Sequence, residues 1–344
     1  MPDKIARWGL LSTARINERL IPVIRAAERS ELLAVCSRSQ EKADAYAAKW
    51  EIPRAYGSYD QMLADPDVNV VYISLPNSMH REWAVKTAEA GKHILCEKPL
   101  AQTALDVDAM AQAALRNGVV LQEATMMRFH PQTLKLQALL ADGIIGDVRL
   151  MRGVMCFQLA REHDIRLDAE LGGGSIWDLG SYCVNFMRTM MRAKPVDVSG
   201  WQVPHDTGVD ATFFGQLRFA SGTVGQFFSS FQAMPRFEAD LIGSDGMIQL
   251  DCPWVNNVGG TANVHIFGED KSESKTTFSD DIRYRTKQTL SSENINAYQD
   301  EVNSMVNTVC DGADPVISLA DSRDNIATLD ALCRSAREGR PVAV

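Results

Sequence analysis

The chain has 344 residues, 45% hydrophobic and 23% charged, an ordinary globular composition with enough length for two domains. Its formal net charge of −9 argues against a nucleic-acid partner, which needs clustered Lys and Arg. No window approaches the roughly 18 apolar residues of a membrane span.

The opening Met-Pro-Asp-Lys-Ile-Ala-Arg-Trp lacks a leader's apolar run. Seven cysteines (Cys36, Cys96, Cys156, Cys183, Cys252, Cys310 and Cys333) are scattered, with no CxxC pair. Neither a zinc site nor a disulfide framework is expected, and the setting that fits is a reducing cytoplasm.

The first third alternates short apolar runs with amphipathic ones. Residues 5–11, 32–37, 68–75, 93–97 and 119–124 read as strands, apolar enough for a parallel sheet covered on both faces. Helical stretches lie between them, such as 40–50 and 80–90, the latter stopped by Gly91. This alternation predicts a doubly wound, Rossmann-type α/β domain over residues 1–125.

From residue 126 the pattern changes. Residues 131–140 read as helix, and 171–191 as a longer helix behind a triple glycine. Strand-like runs follow at 196–203, 212–219, 223–231, 237–242, 247–250 and 262–267. Gly-Ser-Asp-Gly at 243–246 marks a hairpin turn. The expectation is an α+β domain over 126–344 with a large, mostly antiparallel open sheet. Helices return at 303–309 and 321–336, the last packing back on the first domain.

Strand 5–11 runs into Gly9-Leu-Leu-Ser-Thr-Ala14. Of the G-x-G-x-x-G/A dinucleotide fingerprint this keeps Gly9 and Ala14, while Leu11 takes the second glycine's place. The turn Gly9, Leu11, Ser12, Thr13 and Ala14 is thus a candidate pyrophosphate cradle at a helix start, weighed against an ordinary strand–helix turn. The next strand ends in Ser37-Arg38-Ser39, with Lys42 beyond. An NAD site commonly places an acid here to bind the ribose hydroxyls. Hydroxyls with a guanidinium suit a 2′-phosphate instead, so NADP is preferred and NAD remains open. The alternative is that Arg38 caps a surface helix.

The strand at 93–97 ends in Glu97-Lys98-Pro99. Around it stand Leu75-Pro76-Asn77-Ser78-Met79-His80, Met127-Arg128-Phe129-His130-Pro131, and Gly172-Gly-Gly-Ser-Ile-Trp-Asp178-Leu-Gly-Ser-Tyr182, with Asp321 and Asn325 near the end. In this order and spacing the set resembles the oxidoreductase family named after glucose-fructose oxidoreductase, inositol dehydrogenase and the rhizopine-catabolism protein, over nearly the whole chain. The resemblance implies cofactor contacts from Leu75, Pro76, Asn77, His80, Glu97, Lys98 and Arg128. Many members hold His where this chain has Tyr182. The tyrosine is similar to the branch of dihydrodiol and NADP-linked xylose dehydrogenases, in which Lys98 and Tyr182 would be the catalytic pair.

The residues support that chemistry independently. Lys98 lies at the carboxyl end of a parallel strand, where open α/β sheets bind ligands. Asp178 and Tyr182, four apart on a helix, share a face. Removing a hydride from a carbinol needs a group that takes the hydroxyl proton, and tyrosine serves only if a cation lowers its pKa of about 10. Lys98 can supply the cation, and Asp178 can orient Lys98 or a substrate hydroxyl.

Simpler readings stand beside these: a strand end at Lys98-Pro99, a capping Asp178, a core Tyr182. His80 reads as an orienting or surface residue. His130, Arg161 and His163 are candidate substrate contacts.

The expectation is a metal-free, NADP-preferring dehydrogenase acting on a secondary alcohol or ketone of a sugar, cyclitol or diol. It would be a homodimer or homotetramer through the second domain's sheet. The alternatives are a trans-dihydrodiol dehydrogenase or keto-sugar reductase and, in another class, a non-catalytic NADP-sensing regulator, since the family's fold also occurs in a yeast regulator of galactose metabolism.

Overall fold

Strand β1 (Ala6–Leu11) is almost wholly buried and sits in the middle of a six-stranded sheet. A computed structural model describes residues 4–161, 163–251, 253–254, 262–268, 285–292 and 296–344. Two units emerge: Met1–Phe129 with Asp168–Gly173 and Ala297–Ala327, and His130–Leu167 with Gly174–Asn296 and Thr328–Val344.

The first unit's other strands are β2 (Ser30–Cys36), β3 (Arg54–Tyr56), β4 (Val70–Ile73), β5 (His93–Glu97) and β6 (Leu121–Ala124), in the order β3-β2-β1-β4-β5-β6. Every pairing is parallel. Helices α1 (Asn17–Ala26), α2 (Gln40–Trp50), α3 (Tyr59–Leu63), α4 (His80–Glu89) and α5 (Ala104–Arg116) connect the strands. The chain order reverses between β1 and β4, and ligands of such sheets bind beyond the strand ends at that point. Strand β3 escapes sequence reading because three half-buried edge residues carry no periodicity.

In the second unit, α6 (Pro131–Ala141) and β7 (Val148–Cys156) precede a single π turn at Ile176–Gly180 and α7 (Ser181–Met191). Then come β8 (Asp197–Pro204), β9 (Asp210–Arg218), β10 (Val224–Ser230), β11 (Arg236–Gly243), β12 (Gly246–Asp251), β13 (Ala262–Gly268) and β14 (Arg285–Ser292). Helices α8 (Ala297–Asp311) and α9 (Leu319–Glu338) and strand β15 (Val342–Ala343) complete the chain. Val302, Met305 and Val306 of α8 pack on Leu20, Ile21 and Ile24 of α1 in the first unit's core.

The second sheet has nine strands, β14-β13-β12-β11-β7-β10-β9-β8-β15. It is mostly antiparallel, with one parallel pairing between β7 and β10. Strand β7 was not expected, because Gly153 and two arginines break its apolar pattern. That glycine makes room for Trp254, whose ring lies 3.3 Å from where a Cβ would stand. The hairpin between β11 and β12 turns at Ser244-Asp245.

The single helix expected over 171–191 is not formed. Gly172 and Gly174 have φ of +79° and +122°, which a right-handed helix cannot accept, so regular helix starts only after them. Cys252 lies outside the described residues.

Candidate active site

In the first unit the candidate residues gather at the carboxyl ends of β1, β2, β4 and β5. Gly9 lets β1 lie close to its neighbours, since a Cβ there would be 2.9 Å from Met62 Sδ. Leu11 is fully buried, so at this turn it has only its backbone to offer a ligand. Ser12 takes a left-handed-side φ of +147° and is tied down on several sides. Its hydroxyl lies 2.8 Å from Ser74 Oγ and accepts from the Ala14 amide at 3.1 Å.

Asn17 completes this network. It donates from Nδ2 to the Ser12 carbonyl at 2.8 Å and accepts from Ser74 Oγ at 2.7 Å. Asn17 and Ser74 were missed in the sequence because they fall outside the glycine fingerprint. Thr13 and Ala14 are half-buried, and α1 begins with no side-chain cap.

At the end of β2, Ser37 is buried and its amide donates to Tyr56 O at 3.0 Å. Ser39, rather than Arg38, caps α2, accepting from the Lys42 amide. The side chains of Arg38 and Lys42 are exposed. Serine hydroxyls, an uncapped helix start and exposed cations without an acid at the β2 end form a donor set that fits a phosphorylated dinucleotide.

Beyond β4, Asn77 Nδ2 donates to the Gly172 carbonyl at 2.8 Å, and the Ser78 amide reaches Leu171 O at 3.3 Å. His80 is fully buried, with Nε2 2.9 Å from Leu75 O and Nδ1 3.0 Å from Pro99 O. It braces the loop carrying Leu75 and Pro76 against the one carrying Lys98 and Pro99. Burial pushes its pKa down, against the pull of the two carbonyls.

Lys98 is half-buried at the end of β5, and its amide donates to Glu97 Oε2 at 3.2 Å. Glu97 also accepts from the Tyr72 hydroxyl. Below them Glu123 is buried, accepting from the Leu100 amide at 3.1 Å and Ser322 Oγ at 2.7 Å, and burial raises its pKa. Glu301 of α8 is buried as well, and desolvation, then the charges of Glu97 and Glu123, push its pKa well up. Arg128 pairs with Asp321.

In the second unit Asp178 lies in the π turn and Tyr182 in the first turn of α7, 7% exposed. Arg166 Nε donates to Asp178 Oδ2 at 2.6 Å, a partner no spacing rule signals across a loop. His130 is 1% exposed and caps α6, its Nδ1 accepting from the Gln132 amide at 3.0 Å. Burial depresses its pKa to about 4. Arg161 and His163 are exposed in the loop after β7. Lys98 thus belongs to the first unit, and Asp178, Tyr182, His130 and Arg161 to the second. Among the described residues, no three His, Cys, Asp or Glu side chains form a metal-binding group.

Two family models match the chain: an oxidoreductase family with an NAD-binding Rossmann fold over residues 6–125, and a GFO/IDH/MocA C-terminal domain over 133–249. D-xylose 1-dehydrogenase (NADP(+)) 2 of Haloferax volcanii is 33% identical, covering 97% of this chain and 98% of its own. The trans-1,2-dihydrobenzene-1,2-diol dehydrogenase of Bos taurus is 36% identical over 71% of this chain and 73% of its own. Among solved structures, aldose-aldose oxidoreductase from Caulobacter crescentus superposes with a TM-score of 0.86 at 25% identity, over 99% of this chain and 100% of that one. With both halves matched, and one relative aligned nearly end to end, the chain belongs to the GFO/IDH/MocA family of NAD(P)-binding oxidoreductases.

Proposed function

We propose that this oxidoreductase is an NADP-preferring dehydrogenase of a secondary or anomeric alcohol in a sugar, cyclitol or related diol. The observation that carries the reading is that Lys98, Asp178 and Tyr182 are all present at fixed positions: a strand end, a π turn and a first helical turn. A non-catalytic regulator has no use for that set. The Haloferax and Bos relatives, named for D-xylose and a dihydrodiol, support the substrate class.

When bound, the nicotinamide supplies the hydride acceptor. Ser12, Thr13 and Ala14 would hold the pyrophosphate at the start of α1, and Ser37 with Arg38 the 2′-phosphate. Tyr182 takes the proton of the substrate hydroxyl, Lys98 supplies the positive charge that proton transfer to tyrosine needs, and Asp178 accepts a hydrogen bond from the substrate. Steady-state turnover with D-xylose, myo-inositol and trans-1,2-cyclohexanediol, each with NADP and with NAD, tests the reading. Absence of turnover on every polyol, with NADP still bound, favours the regulator.

The same proposal includes a homo-oligomer built on the second unit's sheet. Trp201, Phe214 and Phe228 form a ladder across β8, β9 and β10, with ring centroids 5.2 and 5.0 Å apart. Trp201 is 60% and Phe214 42% exposed, while Phe213 and Phe227 stack on the buried face. An aromatic patch of this kind supports burial against a second copy. The six described cysteines are all free, which suits the reducing cytoplasm proposed for the protein.

A further inference from the structure

Asp178 precedes Tyr182 by four residues, in a π turn that runs straight into α7. Side chains at that spacing are neighbours on a helix. A bare carboxylate there disfavours a phenolate and weakens tyrosine as a proton acceptor.

The fold does not leave it bare. Arg166 donates from Nε to Asp178 at 2.6 Å and from Nη1 to Asp164 at 3.2 Å. The arginine is itself fixed by its backbone. Its amide donates to Asp164 Oδ1 at 3.0 Å, and its carbonyl accepts from the Gly174 amide at 2.9 Å. Gly174 cannot be replaced freely, since its φ is +122° and a Cβ would stand 2.3 Å from Asp210 Oδ1. Asp210 in turn accepts from Ser175 Oγ at 2.6 Å and the Ile176 amide at 2.9 Å, anchoring the start of the π turn. The side chains of Asp178 and Asp164 are 19% and 9% exposed and that of Arg166 is 38% exposed, so water screens the carboxylates weakly and the arginine in part.

We propose that Arg166 is a positioning residue for proton transfer: it holds the Asp178 carboxylate in one orientation and cancels its charge next to Tyr182. The proposal rests on the reading of Tyr182 as the proton acceptor.

Other titratable groups stand on neighbouring elements: β9, packed on the π turn, carries Arg218 and Asp210, whose pKa burial raises to about 6. On the elements packed against α7 they are His130 and Lys135 at α6, and Arg149, Arg152 and Cys156 on β7, while β10 carries none. Arg149 and Arg152 are exposed and paired with Asp147 and Asp240. Helix α7 itself carries Cys183, kept neutral by burial, and Arg188.

The test is the pH dependence of kcat for NADP-linked oxidation of the best substrate among D-xylose, myo-inositol and trans-1,2-cyclohexanediol. Arg166→Met leaves a net negative charge and is expected to move the basic limb up by about half to one pH unit. Asp178→Asn removes one negative charge, leaving Arg166 paired with Asp164, and moves the limb down. The double variant returns the limb close to wild type, and Arg166→Lys never leaves it. Arg166→Gln carries the same expectation as Arg166→Met should the latter fail to fold. A merely structural role lowers rates without opposed shifts. If the single variants shift alike, or not at all, while Tyr182→Phe abolishes the limb, Arg166 has no such role and Tyr182 keeps its own. If the limb survives Tyr182→Phe, both readings fall.

Discussion

The Tyr72 hydroxyl of β4 donates to the Glu97 carboxylate of β5, one residue before Lys98. Tyr72 is fully buried, and burial, then the charge of Glu97, push its pKa far up, so it stays a donor. The bond joins the ends of two adjacent strands at the point from which Lys98 projects. Tyr72→Phe removes the donor and keeps the ring. Deleting one partner of a buried bond to a charged group costs about 1–3 kcal/mol, so the urea midpoint should fall, with kcat falling alongside it. Unchanged stability would mean that the hydroxyl does not hold Glu97.

Coenzyme choice should follow Arg38. The β2 end presents Ser37, Arg38 and Ser39 and no acid, with Arg38 exposed. A charged hydrogen bond is worth roughly 1.5–3 kcal/mol, so Arg38→Asp should weaken NADP tenfold or more and leave NAD little affected. Fluorescence titration of both coenzymes measures this. A wild type that binds NAD more tightly contradicts it.

His130 should make the fold acid-sensitive. It is buried, and its pKa lies near 4 where a free histidine titrates near 6.5. Above pH 6.5 both folded and unfolded chains hold it neutral, and its full contribution is present. As the pH falls from 6.5 towards 4 the unfolded chain takes the proton first, so stability is lost across that window, by at most about 3 kcal/mol. His130→Asn keeps a helix-capping acceptor and removes the titration. Urea unfolding at pH 7 and 4.5 should show a smaller difference in the variant. An equal difference would place the acid sensitivity elsewhere.

The aromatic ladder on the second sheet gives an assembly prediction. Light scattering at micromolar concentration should show a dimer or tetramer, and Trp201→Glu with Phe214→Glu should yield monomer with the fold retained. A monomeric wild type removes the sheet face as an interface.

What was legible in the sequence was what periodicity encodes. The Rossmann strands other than β3, with α2 and the run from β8 to β12, follow from alternation and from apolar runs bounded by turns. Strand β7 was hidden because Gly153 leaves space for Trp254 instead of contributing a side chain. The helix behind the triple glycine was read too long, because two of its glycines sit at positive φ. Among the candidate site residues, motif spacing singled out Lys98, Asp178 and Tyr182. It missed Asn17, Ser74, Tyr72 and Arg166, whose partners are distant in sequence or divided by a loop. Such contacts exist only once strands and turns are in place, and no local pattern announces them.

In the proposed reaction Tyr182 takes the substrate proton, with Lys98 as its cation. Lys98→Met should leave the Rossmann fold and NADP binding intact and collapse turnover. The more direct measurement is the pH–rate profile of Tyr182→Phe beside wild type, in the direction of alcohol oxidation. Wild-type kcat should rise with pH through an apparent pKa below the value of about 10 of free tyrosine. The phenylalanine keeps the ring's packing, so NADP affinity should hold while kcat drops about 10²–10⁴-fold and the rising limb flattens. Unchanged kcat with the same limb would contradict the account and turn attention to His80 and His130.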